Sequence, residues 1–465
     1  MSGASSAPRP SPAAAPAAKG FGGGRVLAIA LPVALSNVTV PLQGAVDVAV
    51  IGALASETPL AAVGLGAQIF ALMITVFNFL QIGSSGLAAQ ALGAGDHGRV
   101  VNTLLRALVL AGCIAALLIL CQGGLRWAGL ALFEGSAEAE ALAGAYFDVR
   151  IWAAPAELGN YALMGWFSGQ EMTRRLFQHQ LVVSLSNIAL NLLFVLGFGW
   201  GVEGVALATG LAHGLGLAYG LWLARRRVSA LAGPGWRPDW PRILRRDELT
   251  RMMSLNRDLF IRTLLLIGAF AWMTRLGSLQ GDATLAANVV LWQFFQCSAY
   301  MLDGFAIAAE TLVGQAYGAG DRRALRRAAV ATSIWSGGLA AAASVALLLA
   351  SGPLIDLLTA SPEVRALARE FAPWAALTPL AGFAAFQLDG VFVGAAQARW
   401  MRDAMLVSVA VYVPAAWLAA EAFGNHGVWG ALHLFLMLRA LALLRRYDAL
   451  EGAASGPVAA ARHGG

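Results

Sequence analysis

Residues 60–96 read LAAVGLGAQIFALMITVFNFLQIGSSGLAAQALGAGD, and residues 285–321 read LAANVVLWQFFQCSAYMLDGFAIAAETLVGQAYGAGD. Laid over each other without a gap, at an offset of 225, they are identical at 13 of 37 positions. LAA meets LAA, Gln68 meets Gln293, Phe70 meets Phe295, and QALGAGD meets QAYGAGD. The same offset carries Gly165, Gly169 and Arg174 onto Gly390, Gly394 and Arg399. Shared alanine and glycine content produces scattered matches, but not an ungapped GAGD pair led by glutamine. Such a duplication predicts two similar units related by a pseudo-two-fold axis along a membrane normal.

The membrane enters through composition. The 465-residue chain is 58% hydrophobic and 12% charged, with 53 glycines and a mean hydropathy of +0.66. A soluble domain carries about 25% charge. Apolar runs lie at about 25–53, 59–92, 101–122, 141–168, 177–198 and 203–224, then 256–278, 284–317, 325–351, 364–396, 402–420 and 427–444. The expected fold is an all-α polytopic membrane protein of about twelve transmembrane helices in two six-helix bundles. The expected divisions are a disordered cytoplasmic leader (1–23), a first bundle (24–226), a linker (227–254), a second bundle (255–447) and a cytoplasmic tail (448–465). The arginines gather on alternate loops, at Arg174/Arg175, Arg225–Arg227 and Arg322/Arg323, while the intervening loops hold Glu57, Glu134 and Glu203. The positive-inside rule then puts both termini in the cytoplasm of a bacterial inner membrane. The net charge of +6 follows from this loop asymmetry, so a nucleic-acid partner is not expected. Cys113, Cys121 and Cys297 lack ligand spacing and are expected to pack in the core. The six histidines show no ligand spacing and are expected at interfaces, and Trp127, Trp152, Trp166, Trp222, Trp236 and Trp240 in interfacial belts.

From residue 28 onward, the first apolar run holds one ionisable residue. Within AIALPVALSNVTVPLQGAVDVAVIGAL (28–54) it is Asp47. A charge at mid-membrane costs about 2.5–3.5 kcal/mol on insertion scales, so this carboxyl needs a partner, a proton or a wet cavity. Pro32 and Pro41 on the same helix each delete a backbone hydrogen bond and permit bending. Asn187 and Asn191 are four residues apart, on one helix face, and with Asp47 they can form a polar cluster. The second half carries Asp303, Glu310 and Asp389 inside its apolar runs. Asp303 and Glu310, seven apart, share a face. Intramembrane acids are functional candidates; the bland alternative is fixed pairing with Arg257, Arg262 or Arg275. Under the offset, Asp303 falls on Asn78 and Asp389 on Met164. Gln43 and Asn37, with Phe70, Met73 and Asn78, are candidates for the substrate cavity. GAGD is expected to end a helix, with glycine in the turn and aspartate capping the next one.

Several stretches resemble the multidrug and toxic compound extrusion (MATE) family, in its DinF-like branch. They are ALPVALSNVTVPLQGAVDVAVIG (30–52), LNRDLFIRTLLL (255–266), the 286–321 segment, QLDGVFVGAAQARWMRDAM (387–405) and GNHGVWGAL (424–432). The resemblance implies a V-shaped pair of bundles exporting organic, often cationic, compounds in exchange for protons or sodium ions, with no cofactor. By position it implies that Asp47 is the coupling acid, Pro32 the hinge, and Asn187 and Thr209 polar members of the same cavity. The pattern breaks at Asn191: NIALN has an amide where the family often has a second acid. A sodium site at Asp47, Asn187 and Asn191 would hold a single negative charge, so proton coupling is favoured. The implied partners are a small organic substrate and the lipid bilayer, with the protein a monomer. A lipid or lipid-linked oligosaccharide flippase of the same superfamily is the rival. It should carry several arginines inside its helices, whereas here they are expected mostly at loop edges. An enzyme would need a nucleophile–base pair or a motif such as HExxH, and neither is present.

Overall fold

The computed structural model describes residues 23–52, 57–132 and 136–454, with the side chains of 38–49 and 51–62 outside the description. The leader, Asp47, Gln43 and Pro41 therefore fall outside the described side chains, although the helical backbone runs continuously through positions 32, 41 and 47.

Among the described residues the chain is helical throughout, without strands. In order the helices are α1 (Gly23–Gly52), α2 (Glu57–Thr75) and α3 (Phe79–Gly93), the last two joined by a 3-10 turn. Then come α4 (His97–Leu120), the short α5 (Gln122–Leu132), α6 (Ala137–Arg150), α7 (Ala154–Gly169), α8 (Thr173–Asn191) and α9 (Val202–Ala232). The linker holds α10 (Trp240–Ile243). The second half contains α11 (Arg246–Ser278), α12 (Asp282–Ala319), α13 (Arg322–Leu358), α14 (Pro362–Gly394) and α15 (Ala398–Leu444), followed by α16 (Tyr447–Ala453). Nine helical stretches among the described residues are long and apolar enough to cross a membrane; the described apolar part of α1, Gly23–Asn37, is shorter. The expected count of about twelve exceeds these nine, one of which, Ala398–Ala453, contains a sharp bend.

The duplication is written into the helix ends. α12 begins 225 residues after α2, α13 the same distance after α4, α14 after α6 and α15 after α8. The GAGD turns behave identically: Gly95 and Gly320 have φ 73° and 71°. Asp96 accepts from the Arg99 amide and Asp321 from the Ala324 amide, each at 2.8 Å. Even the reversals repeat, with Gly199 at φ 70° and Gly424, again 225 later, at φ 57°. At Gly424 ψ is −138°, a region essentially closed to L-residues with a Cβ. Gly424→Ala should therefore cost about 1–3 kcal/mol; a thermal-unfolding midpoint within 1 °C of wild type in detergent would contradict this.

Packing follows the same two-fold logic. α12, α13 and α14 pack mutually, as do α3, α4 and α7. Across the halves, α12 lies on both α1 and α3, and α1 also lies on α8. One core spans both halves, with Ile29, Ile74 and Leu158 continuous with Leu312 and Phe392. The closest approach is reciprocal. A Cβ on Gly93 would strike the Gln315 backbone, and one on Gly318 would strike the Gln90 backbone, which are the same two positions exchanged. These contacts lie beside the GAGD turns, so the halves meet at the arginine-rich end.

The outer surface is apolar, with Leu120, Leu349 and Leu357 more than four-fifths exposed. This is the surface hydrocarbon would cover. Cys113, Cys121 and Cys297 all lie on the exposed surface, which corrects the expectation of core packing: lipid and core favour the same apolar residues, so hydropathy cannot separate them. Trp166 is likewise not in a belt. It is fully buried and donates its indole N–H to the Val100 carbonyl at 2.8 Å.

Candidate functional site

Two of the polar groups buried in this apolar interior contain the expected site residues. The first lies within the first half, on the facing sides of α8 and α9. Thr209 donates to the Val205 carbonyl at 3.0 Å, the Asn187 amide donates to Thr209 Oγ1 at 2.9 Å, and the Asn191 amide donates to Asn187 Oδ1 at 3.1 Å. Both asparagines are fully buried. Their four-residue spacing stacks them along α8, and the same spacing places His179 two turns earlier. The structure thus brings Asn187, Asn191 and Thr209 together. α1, the helix that carries residue 47, packs on α8.

Two turns along α8 toward the arginine-rich end lies a further polar group, which the sequence reading passed over. His179 Nε2 and Asn160 Oδ1 are 3.0 Å apart, the Asn160 amide donates to the His213 carbonyl at 3.0 Å, and His213 Nε2 lies 4.0 Å from Glu157. Glu157 accepts from Arg150 at 2.7 Å, and that guanidinium sits 4.2 Å above the Phe70 ring. His179 and His213 are therefore interior groups, not interfacial ones. The signal was available: Arg150 and Glu157 are ionisable residues inside the 141–168 apolar run, the criterion that singled out Asp47. Phe70 is consumed by this packing. It is buried and edge-on to Phe147 at 6.2 Å, and Met73 packs against the same core.

The second group lines a cavity of about 210 Å³ between the halves, walled by α3 and α7 on one side and α11, α12 and α14 on the other. Asn78 and Ser85 face it from the first half, and their two-fold counterparts Asp303 and Glu310 face it from the second. Asn37 of α1 donates to Asp303 at 3.3 Å and to the Tyr300 carbonyl at 3.2 Å. Asp389 is bonded to Arg262 and, at 2.5 Å, to Arg439. Two guanidiniums thus hold one carboxylate, which fits the bland alternative for Asp389 but not for Asp303, whose partner is an amide. Arg257 pairs with Asp258 at 3.1 Å and with none of the three candidates. Three arginines are exceptions to the expectation that they sit mostly at loop edges. Arg150 and Arg439 are nearly fully buried and Arg262 lines the cavity, yet each is matched by an acid, so none stands as a free receptor for an anionic headgroup. Among the described residues no His, Cys, Asp and Glu group could hold a metal ion.

A duplicated helical bundle, apolar outside, with an acid-lined cavity where its halves meet, defines a polytopic membrane transporter. The MatE family model matches residues 32–193 and 259–418, one stretch in each half, and the chain belongs to the MATE family of transporters. It is similar to DNA damage-inducible protein F of Escherichia coli (strain K12), at 36% identity over 89% of this chain and 90% of that one. It is also similar to the probable multidrug resistance protein NorM of Rhizobium meliloti (strain 1021), at 30% identity over 88% and 90%. Among solved structures, crystal structures of MATE in the straight and bent conformations superpose with TM-scores of 0.82 and 0.83. Both cover 93% of this chain, with 96% and 97% of theirs, at 19% and 20% identity. The chain is a transporter and not an enzyme.

Proposed function

We propose that the protein is a secondary antiporter exporting organic cations or amphipathic compounds in exchange for protons, with Asp47 carrying the coupling proton. The observation that supports this most is the composition of the Asn187–Thr209–Asn191 cluster. Asn187, Asn191 and Thr209 bring two amides and a hydroxyl together, buried and neutral. A hard cation is held by several oxygens and stabilised by more than one negative charge. An aspartate among neutral neighbours supplies one charge only, whereas protonation removes the cost of burying it. Protonated and ionised Asp47 would then favour different positions of α1, with Pro32 as the hinge and the amides as alternative partners. Substrate and proton exclude each other because both answer the same charge. The NorM relatives, named as probable multidrug resistance proteins, support a broad range of small organic substrates. In this reading the arginine-rich end and both termini face the cytoplasm of a bacterial inner membrane, and the chain works as a monomer.

The test is efflux in everted vesicles under separately imposed proton and sodium gradients. Asp47→Asn is expected to lower proton-driven transport at least about tenfold, while binding of substrate to the purified protein changes less. Undiminished proton-driven transport in this variant removes Asp47 from the mechanism, and a rate that follows sodium and ignores pH replaces the coupling ion.

A further inference from the structure

We propose that Glu310, assisted by Asp303, is a second proton-carrying site on the seam between the halves, so that each cycle moves one proton more than Asp47 accounts for. This rests on the proton-antiport reading above and adds a stoichiometry to it.

The three acids of the seam cavity differ in what answers their charge. Asp389 is doubly neutralised by Arg262 and Arg439, so a proton gains nothing by landing there. Asp303 has the Asn37 amide. Glu310 is only 6% exposed, it lines the cavity, and its Oε1 has no hydrogen-bond partner among the described residues. Facing it are Asp303 from its own helix, Arg262 from α11 and Asp389 from α14, with Arg439 of α15 behind Asp389. Both arginines are committed to Asp389. From α3 and α7 come only Asn78, Gln81, Ser85 and Ser168, all neutral. An ionised carboxylate buried without a cation is strongly disfavoured, so in this state Glu310 holds a proton or waits for one.

Its position links that proton to the transport movement. Asn78 and Ser85, the two-fold counterparts of Asp303 and Glu310, line the same cavity, so the acids sit where the repeats face each other. The residue after Glu310, Thr311, donates across the seam to the Ser168 carbonyl at 3.0 Å. Asp303 is bonded to α1 through Asn37. When the halves part, the hydration of this pair must change, and with it the balance between proton-loaded and empty forms. Asp303 in turn senses whether α1 is in place. The proton leaves as H⁺ to water on the opening side, and the carboxylate it leaves behind is the only other product.

The test is a zero-flux measurement in proteoliposomes with the membrane potential clamped. Substrate ratios at balance are recorded over a series of pH differences, and the slope of log ratio against pH difference gives protons per substrate. Wild type is expected at a slope of about two and Glu310→Gln at about one; Asp47→Asn, although much slower, is also expected at about one. A slope unchanged by Glu310→Gln overturns the second site. A wild-type slope of zero, with transport following sodium, instead overturns the proton reading itself. Should Glu310→Gln fail to fold, the wild-type protein gives the answer with dicyclohexylcarbodiimide, which labels protonated carboxyls in apolar surroundings. Mass spectrometry is expected to find the adduct at Glu310 and not at Asp389; equal labelling of both, or none at Glu310, contradicts the assignment.

Discussion

Asp389→Asn should be among the most damaging single substitutions outside the coupling site, destabilising the protein by about 3–5 kcal/mol. Arg439 is 3% exposed and Arg262 lies at the cavity wall, its Nε without a hydrogen-bond partner among the described residues. Their shared counter-charge is the Asp389 carboxylate. Removing it leaves two guanidiniums facing each other away from water, each carrying the several kcal/mol desolvation penalty that the carboxylate had offset. Asparagine preserves the size of the side chain and one oxygen acceptor, so the loss is one of charge and not of volume. The unfolding midpoint in detergent reports it directly. The comparison that isolates charge is Asp389→Asn combined with Arg262→Gln and Arg439→Gln. This triple variant should recover a large part of the stability, because replacing a whole buried ion cluster costs less than breaking it. A midpoint for the single variant within 2 °C of wild type would mean that water reaches these arginines freely.

The second large effect is expected at the glycines where the halves meet. Gly93→Ala and Gly318→Ala each introduce a Cβ into the facing backbone, at Gln315 and Gln90 respectively. In an isolated helix the change from glycine to alanine stabilises by about 1 kcal/mol, so a loss of function must come from contact between the halves. Neither facing group is the end of a flexible side chain, so the halves must move apart. Transport should fall at least about tenfold with the protein still folded. Spin labels at residues 98 and 323, exposed two-fold counterparts beside the GAGD turns, should report a longer distance than in the unsubstituted protein. Unchanged distances with wild-type transport would show that the seam has slack there. The two variants should also resemble each other, because the contact is reciprocal.

How far the sequence reached differs from residue to residue. The repeat was legible to the single residue: helix starts, GAGD caps and the turns at Gly199 and Gly424 all recur at the offset read from 13 identities. The pairing of Asn187 with Asn191 was legible because four residues is one helical turn. The Arg150–Glu157–His213 group was passed over although Arg150 and Glu157 lie inside one apolar run, and its third member, His213, comes from another helix, a pairing that sequence spacing does not show. Phe70 and Trp166 were misplaced for a different reason. An aromatic ring suits core, cavity and interface alike, so its identity carries no direction.

By itself the sequence determined the apolar helices, their duplication and the end at which arginine gathers. These follow from dehydrating a backbone that must bond to itself, a requirement met within a few residues of each position. Only the tertiary structure decided which buried acids are answered by a cation. Arg262 and Asp389 lie 127 residues apart, Arg439 and Asp389 lie 50 apart, and Glu310 is left out. A side chain's partner is chosen by how helices cross, and that geometry depends on every contact in the bundle at once.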